Sequence, residues 1–283
     1  MFKHYTVAIL MTCYNRENLT RRCIKSLKRS ADKQNIYSVD FYVVDDGSTD
    51  GTSKILDEEF PFVIHLHGNG NVFWNGGMYY AFKEAVKKGY DFYLWVNDDV
   101  EFYDRTLEKL ISLYNSLEEK TCIITGYTYD KNEKVVTYGG QRLKSKIFPL
   151  DLHMILPTNK IQKCDSMHGN CVLIHKSVVE VIGIIDNYYT HGFGDVDYGL
   201  SATKNGIPIY LSNFAVGKCD KNPNSNRKNT YKNKKLIERF RIMNSWRHRP
   251  VKDWLHFTKK FGGKFWFLRF IAPYLKLLIN KYE

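Results

Sequence analysis

The sequence has no Cys-x-x-Cys pair, no long uncharged apolar run and no internal repeat. Its six cysteines, at positions 13, 23, 122, 164, 171 and 219, are scattered. That excludes a zinc knuckle or disulfide framework and points to a reducing cytosol. No stretch reaches the roughly 18 apolar residues that a membrane-crossing helix needs, and residues 1–10 lack the apolar core of a secretory signal. A GxxxxGK[ST] element is missing, and Gly68-Asn69-Gly70-Asn71 makes no dinucleotide fingerprint, so ATPase and dinucleotide oxidoreductase readings drop out. No Ser-His-Asp or Cys-His order suggests a covalent nucleophile.

What is present describes a folded body with a basic end. The apolar share of 43% and aromatic share of 15% exceed what a disordered chain carries, and 283 residues can bury a sizeable α/β core. Residues 218–283 hold 18 Lys/Arg against 4 Asp/Glu, whereas residues 1–217 hold 24 against 26. The chain therefore divides into a near-neutral body, 1–217, and a basic extension, 218–283, suited to polyanionic partners. Within the extension, Phe265, Trp266, Phe267, Leu268 and Ile271 are interspersed with Lys264 and Arg269, as in a segment lying at a membrane surface.

Strand-like and helical patterns alternate along the first hundred residues. Residues 5–12, 39–44, 63–66 and 93–96 read as strands, with helical spacing over 15–29, a short helix ending at Glu58, and a helix after the glycine-rich loop 68–77. Such alternation predicts an α/β fold with a mainly parallel central sheet flanked by helices. Shorter strands follow at 122–125, 135–138 and 171–175, with helices from Lys176 and near Asp195. Residues 1–100 and 101–217 therefore read as two halves of one domain. Residues 221–235 read as a polar loop, with helices resuming at Leu236.

Polar clusters fall where the strands end, and in open α/β sheets ligands sit outside the carboxyl ends of strands. Asn97-Asp98-Asp99 places two carboxylates together, which a divalent cation bridging a diphosphate would neutralise; a solvated turn is the plainer alternative. At Asp45-Asp46-Gly47-Ser48, one carboxylate can cap the following turn while the other accepts hydrogen bonds from a base or ribose.

Together these segments resemble the family 2 glycosyltransferases of GT-A fold, and within them a bacterial surface-polysaccharide, rhamnosyltransferase-like subgroup. The resemblance is carried by TCYNR at 12–16, VVDDGSTDGT at 43–52, GNGNVFWNGG at 68–77, WVNDD at 95–99 and GFGDVDYGL at 192–200. It implies an inverting glycosyltransferase with a basic helical extension after the GT-A domain, residues 1–100 of that domain being its nucleotide-binding half and 101–217 its acceptor half. Thr12 and Asp46 would contact the nucleotide base, with Tyr14, Arg16, Asp45 and Asn75 completing the nucleotide site. Asp98 would lie by the ribose and phosphates, and Asp99 would hold Mg²⁺ or Mn²⁺. Asp195 matches the family's catalytic base. If a helix starts there, Asp197 points about 200° away from Asp195, so only one of the two can face the site.

The resemblance further implies a nucleotide-diphosphate sugar donor and a glycan or polyprenyl-diphosphate-linked acceptor. The protein is expected in the cytoplasm, peripheral on the inner face of the cell membrane, with nucleic acid not expected as a partner. Where many relatives carry a histidine after the last core strand, this chain has Gly217-Lys218-Cys219; Lys218 is expected to offset leaving-group charge, or to be a surface lysine. Trp74 is read as a sugar-stacking or a packing residue, and His168, Asn170, His191 and Asp197 as further diphosphate or acceptor contacts. The rival readings are a sugar-phosphate nucleotidyltransferase, or a non-catalytic lipid- or nucleic-acid-binding protein on a transferase body.

Overall fold

The structure, a computed structural model, describes residues 4–31, 37–145, 148–222, 231 and 234–278. Its first half is built from β1 (Tyr5–Cys13), α1 (Glu17–Ala31), β2 (Tyr37–Asp45), α2 (Thr52–Glu58), β3 (Val63–His67), α3 (Phe73–Val86) and β4 (Phe92–Val96). These strands pair in parallel in the order β3-β2-β1-β4, with Cys13 beside Asp45 and Leu10 beside Trp95. Every residue of β4 is buried, as is all of β1 except Thr6. A strand covered on both faces requires such a continuous apolar run.

The second half adds β5 (Glu101–Phe102), α4 (Thr106–Ser116), β6 (Ile123–Tyr129), β7 (Val136–Tyr138), β8 (Gly140–Ser145), β9 (Phe148–Met154), β10 (Gln162–Cys164), β11 (Ser166–Met167), β12 (Cys171–His175), α5 (Lys176–Ile182), α6 (Gly194–Lys204) and β13 (Ile209–Lys218). Here the sheet departs from the parallel pattern. β12 runs antiparallel between β4 and β6, and β13 runs parallel to β6. The large sheet is therefore mixed, and β11, β8 and β9 form a small separate sheet within the stretch expected to serve the acceptor.

Helices cover both faces. On one, Cys23, Ile24 and Leu27 of α1, Ile55 of α2 and Leu110 of α4 meet Ile9 and Leu94; on the other, Met78 and Phe82 of α3, Val178 of α5 and Tyr198 of α6 meet Leu10 and Trp95. Helix α3 begins inside the glycine-rich stretch, not after it. The Asp46 carboxylate accepts the N–H groups of Gly70, Val72 and Phe73 at 2.8–3.2 Å, satisfying donors that a helix start leaves open.

The extension carries α7 (Leu236–Met243), α8 (Val251–Phe261) and α9 (Trp266–Leu278); most of the expected 221–235 loop lies outside the described residues. Strand β13 crosses the boundary drawn after residue 217. Helix α8 docks on the body through Trp254 and Phe257, which pack with Tyr189, Phe193 and Leu200. Its fully buried Asp253 accepts the Thr190 N–H at 2.9 Å. Helix α9 turns Phe267, Leu268, Ile271, Leu275 and Leu278 outward, each 43–55% exposed. Among the described residues no helix is long and apolar enough to cross a membrane.

Asp253→Ala leaves the Thr190 N–H without its acceptor. It is expected to lower unfolding free energy by about 1–3 kcal/mol, read from the urea midpoint; an unchanged midpoint would show that α8 docks without this bond.

Candidate active site

A cavity of about 530 Å³ opens at the carboxyl ends of β1, β2 and β4, lined by Thr12, Tyr14, Arg16, Asp46, Trp74, Asp98, Asp99, His168, Asn170, His191 and Asp195 among others. Eleven of the residues expected at the site are thus brought together. Three residues beside this cavity hold left-handed backbone without being glycine: Asn15 (φ 51°), Phe73 (φ 52°) and Phe193 (φ 71°). For bulky side chains this conformation costs on the order of 1–3 kcal/mol and concentrates where a site dictates backbone shape. Close approach of elements matters as well. A Cβ at Gly169 would stand 2.6 Å from the Trp74 ring.

The strand-end carboxylates are neutralised from within the chain. Arg16 Nη1 lies 2.9 Å from Asp98 Oδ1 and 3.0 Å from Asp99 Oδ2. Asp98 is buried, and its Oδ2 has no hydrogen-bond partner. Burial pushes the Asp98 carboxyl up to about 7; Arg16 opposes the shift and the Asp99 charge adds to it. Asp99 is more open and accepts a hydrogen bond from the Cys219 thiol at 3.3 Å. Burial, then the Asp99 charge, raises the Cys219 pKa, so the sulfur stays a protonated donor.

Asp195, in the first turn of α6, lines the cavity with its Oδ2 accepting the Gly169 N–H at 3.0 Å and its Oδ1 the Val196 N–H at 2.8 Å. Trp74 donates its indole N–H to Asn97 Oδ1 at 2.8 Å and meets Trp95 edge-on, so it packs as well as lines. His168 contacts the Gly139 carbonyl and Gln141 through its two ring nitrogens. Burial, followed by the charges of Arg16 and Arg247, pushes His191 down to about 4, leaving a neutral ring near pH 7.

Four expected site residues lie elsewhere. Asn75 is fully buried in α3 and donates to the Asp186 and Tyr189 carbonyls, so it anchors the loop before α6 and is no nucleotide contact. Asp45 caps the turn through Ser48 N–H and hydroxyl at 3.0 and 2.5 Å and does not line the cavity. Asp197 is buried behind the site, bonded to the Tyr189 hydroxyl and Lys260 at 2.6 Å each. Lys218 pairs with Glu133 at 2.9 Å and does not line the cavity. Along a strand, neighbours face opposite ways, so Cys219 and not Lys218 turns to Asp99.

A second cluster, Asp186, Asp197 and His256, has metal-like spacing. Lys260 Nζ sits 2.6 Å from Asp197 and 3.6 Å from Asp186, and already supplies the positive charge there. Conversely, the cavity includes Phe73, from the glycine-rich motif, and Tyr138, Asn222, Trp246 and Arg247, which carry no recognisable local motif.

An acid whose pKa is raised on folding binds more protons folded than unfolded, so stability falls as pH climbs from about 4 towards 7. Asp98→Asn removes that charge. In EDTA the variant is therefore expected to gain melting temperature relative to the parent at pH 8 and not at pH 4.5; equal differences at both pH values would contradict a raised pKa.

Comparison with known proteins agrees with this geometry. Protein RfbJ of Shigella flexneri is 30% identical over 74 residues, 25% of this chain and 54% of that protein; the chain thus spans about half the length of this curated relative. Among solved structures, the mannosyltransferase PcManGT from Pyrobaculum calidifontis, in complex with GDP-Man and Mn²⁺, is similar in fold. Its TM-score is 0.54 at 15% identity, covering 90% of this chain and 65% of that one. The family model for glycosyl transferase family 2 matches residues 8–183, a span that takes in the strand-end clusters at Thr12, Asp46 and Asp98. The chain, built on a GT-A fold, belongs to glycosyltransferase family 2.

Proposed function

We propose that the protein is an inverting glycosyltransferase that carries a sugar from a nucleotide-diphosphate donor to an acceptor hydroxyl. The observation that carries this reading is the single cavity shared by Thr12, Asp46, Asp98 and Asp99 from strand ends and Asp195 from α6. Thr12 and Asp46 take the nucleotide end, with Tyr14 and Arg16 beside them. Asp195 accepts the acceptor hydroxyl's proton while that oxygen attacks the anomeric carbon from the face opposite the leaving group, and configuration inverts. Its two backbone N–H partners keep the carboxylate oriented.

The donor set around Asp98 and Asp99 fits a hard divalent cation: both offer oxygen, and Asp98 Oδ2 is an unpartnered one. Asp99 would hold Mg²⁺ or Mn²⁺ with Asp98 adjoining. When bound, such an ion supplies charge neutralisation at the departing diphosphate. The Mn²⁺ and GDP-Man of the PcManGT complex support both the ion and the donor class.

A lipid-linked glycan acceptor at the cytoplasmic face of the membrane suits the extension. The outward apolar stripe of α9 lies in a segment of 18 basic and 4 acidic residues, and an anionic bilayer complements both features.

The donor is tested by incubating the protein with UDP-, dTDP- and GDP-sugars and Mn²⁺ or Mg²⁺, then measuring nucleotide-diphosphate release with and without EDTA. No release from any donor, with or without lipid-linked acceptor, would sink the proposal. Asp195→Asn is expected to retain donor binding and lose roughly 10²–10⁴-fold in transfer. For the membrane, Leu268→Glu with Ile271→Glu is expected to abolish co-sedimentation with phosphatidylglycerol vesicles while leaving the melting temperature unchanged. Retained sedimentation would place the contact elsewhere.

A further inference from the structure

The cavity's acidic side is matched by Arg16, but Arg16 is committed to Asp98 and Asp99. Among the described residues the other arginine lining the cavity is Arg247, which comes from the turn between α7 and α8 of the extension. Among the described residues Arg247 has no carboxylate partner. Its guanidinium instead lies over the Trp246 ring, 4.6 Å from the centroid. Stacking occupies the face of a guanidinium and leaves its in-plane N–H groups for oxygen acceptors, in the fork that phosphate accepts two at a time.

Trp246 is in turn fixed. Its ring lies 5.3 Å from Phe73, at the start of α3, and 4.7 Å from His191, edge-on. The turn that carries both residues is tied internally: His248 N–H donates to the Ser245 carbonyl at 2.9 Å, Arg249 N–H to Met243 at 2.8 Å, and Val251 N–H to Asn244 Oδ1 at 2.8 Å. His191 Nδ1 is buried beside this pair without a hydrogen-bond partner among the described residues. A positioned cation and an unpartnered ring nitrogen thus border one cavity with the paired carboxylates. Lys218, the cation expected from the strand, is held by Glu133 instead.

We infer that Arg247, positioned by Trp246, is the diphosphate-binding cation of this cleft, supplied by the basic extension and not by the catalytic body. The inference rests on the nucleotide-sugar reading of the same cavity. A diphosphate reaches such a cleft from two sources, the nucleotide sugar or a lipid-diphosphate acceptor, and both present the same oxygens to the guanidinium. Arg247 is assigned contact with the ligand; Trp246 acts through Arg247 as a positioning residue.

Calorimetric titration separates the possibilities, using UDP, dTDP and GDP, their nucleosides, and geranyl diphosphate against geraniol in micelles. Folding of each variant is checked by circular dichroism. If the donor is the source, Arg247→Ala weakens nucleoside-diphosphate binding roughly tenfold or more, the scale of charge-assisted hydrogen bonds, with nucleoside binding unchanged. If the acceptor is the source, the same variant spares the nucleotides and weakens geranyl diphosphate but not geraniol. In either case Trp246→Ala reproduces part of the loss, Trp246→Phe restores it, and Arg247→Lys falls between. Unchanged diphosphate affinity in Arg247→Ala, with the parent binding normally, overturns this inference alone. A parent that binds no nucleotide and no geranyl diphosphate overturns it together with the glycosyltransferase reading.

Discussion

Two adjacent carboxylates at the end of a buried strand are the constraint around which this protein is arranged. Asp98 is nearly removed from water and Asp99 stands next to it, so in an unliganded chain their repulsion has to be met by something covalently present. Arg16 meets it, reaching across from the loop after β1. That one contact links the ends of β1 and β4, and Cys219 brings the end of β13 to the same point. A bound cation and an anionic donor would enter a site where Arg16 already pairs with both carboxylates, so loading it would be an exchange of partners and not the filling of an empty hole.

The rest of the cleft is backbone geometry held in place by polar side chains. Asp46 gathers the N–H groups that begin α3, Asn75 holds the loop at Asp186 and Tyr189, and Asp197 ties α6 to Tyr189 and Lys260. These residues look like ligand contacts in the sequence because they are polar and sit inside or beside the motifs. Two of the three turn inward and away from the ligand space. Their work is to place Phe73 and Asp195, which line it.

Much of this was legible beforehand. Fully buried strands announce themselves as apolar runs, and strand-end polar clusters mark the ligand side of an open sheet, which is how Thr12, Asp98 and Asp99 could be grouped from the sequence, while Asp195 joined them only through the resemblance of GFGDVDYGL to a family motif. What failed was the facing of individual side chains. Lys218 and Cys219 are neighbours, and only the register of β13 against β5, with Lys218 opposite Glu101, decides which turns to Asp99. Asn75 lies one residue after Trp74, yet helical rotation sends one into the core and the other to the cleft. Trp246 and Arg247 had no signal, because a short basic turn has no periodicity and its partners, Phe73 and His191, are far away in sequence.

The extension also has a temporal meaning. A chain emerging from the ribosome can pair β1, β2 and β4 and bring Arg16 to Asp98 long before the turn at Trp246 exists, since amino-terminal units fold first during synthesis. The carboxylate side of the cleft is therefore synthesised first, while its aromatic and basic wall comes last, on an extension that docks through Asp253 onto Thr190. A chain clipped before the turn at Trp246 would carry the carboxylates of a transferase without the aromatic and basic wall that faces them.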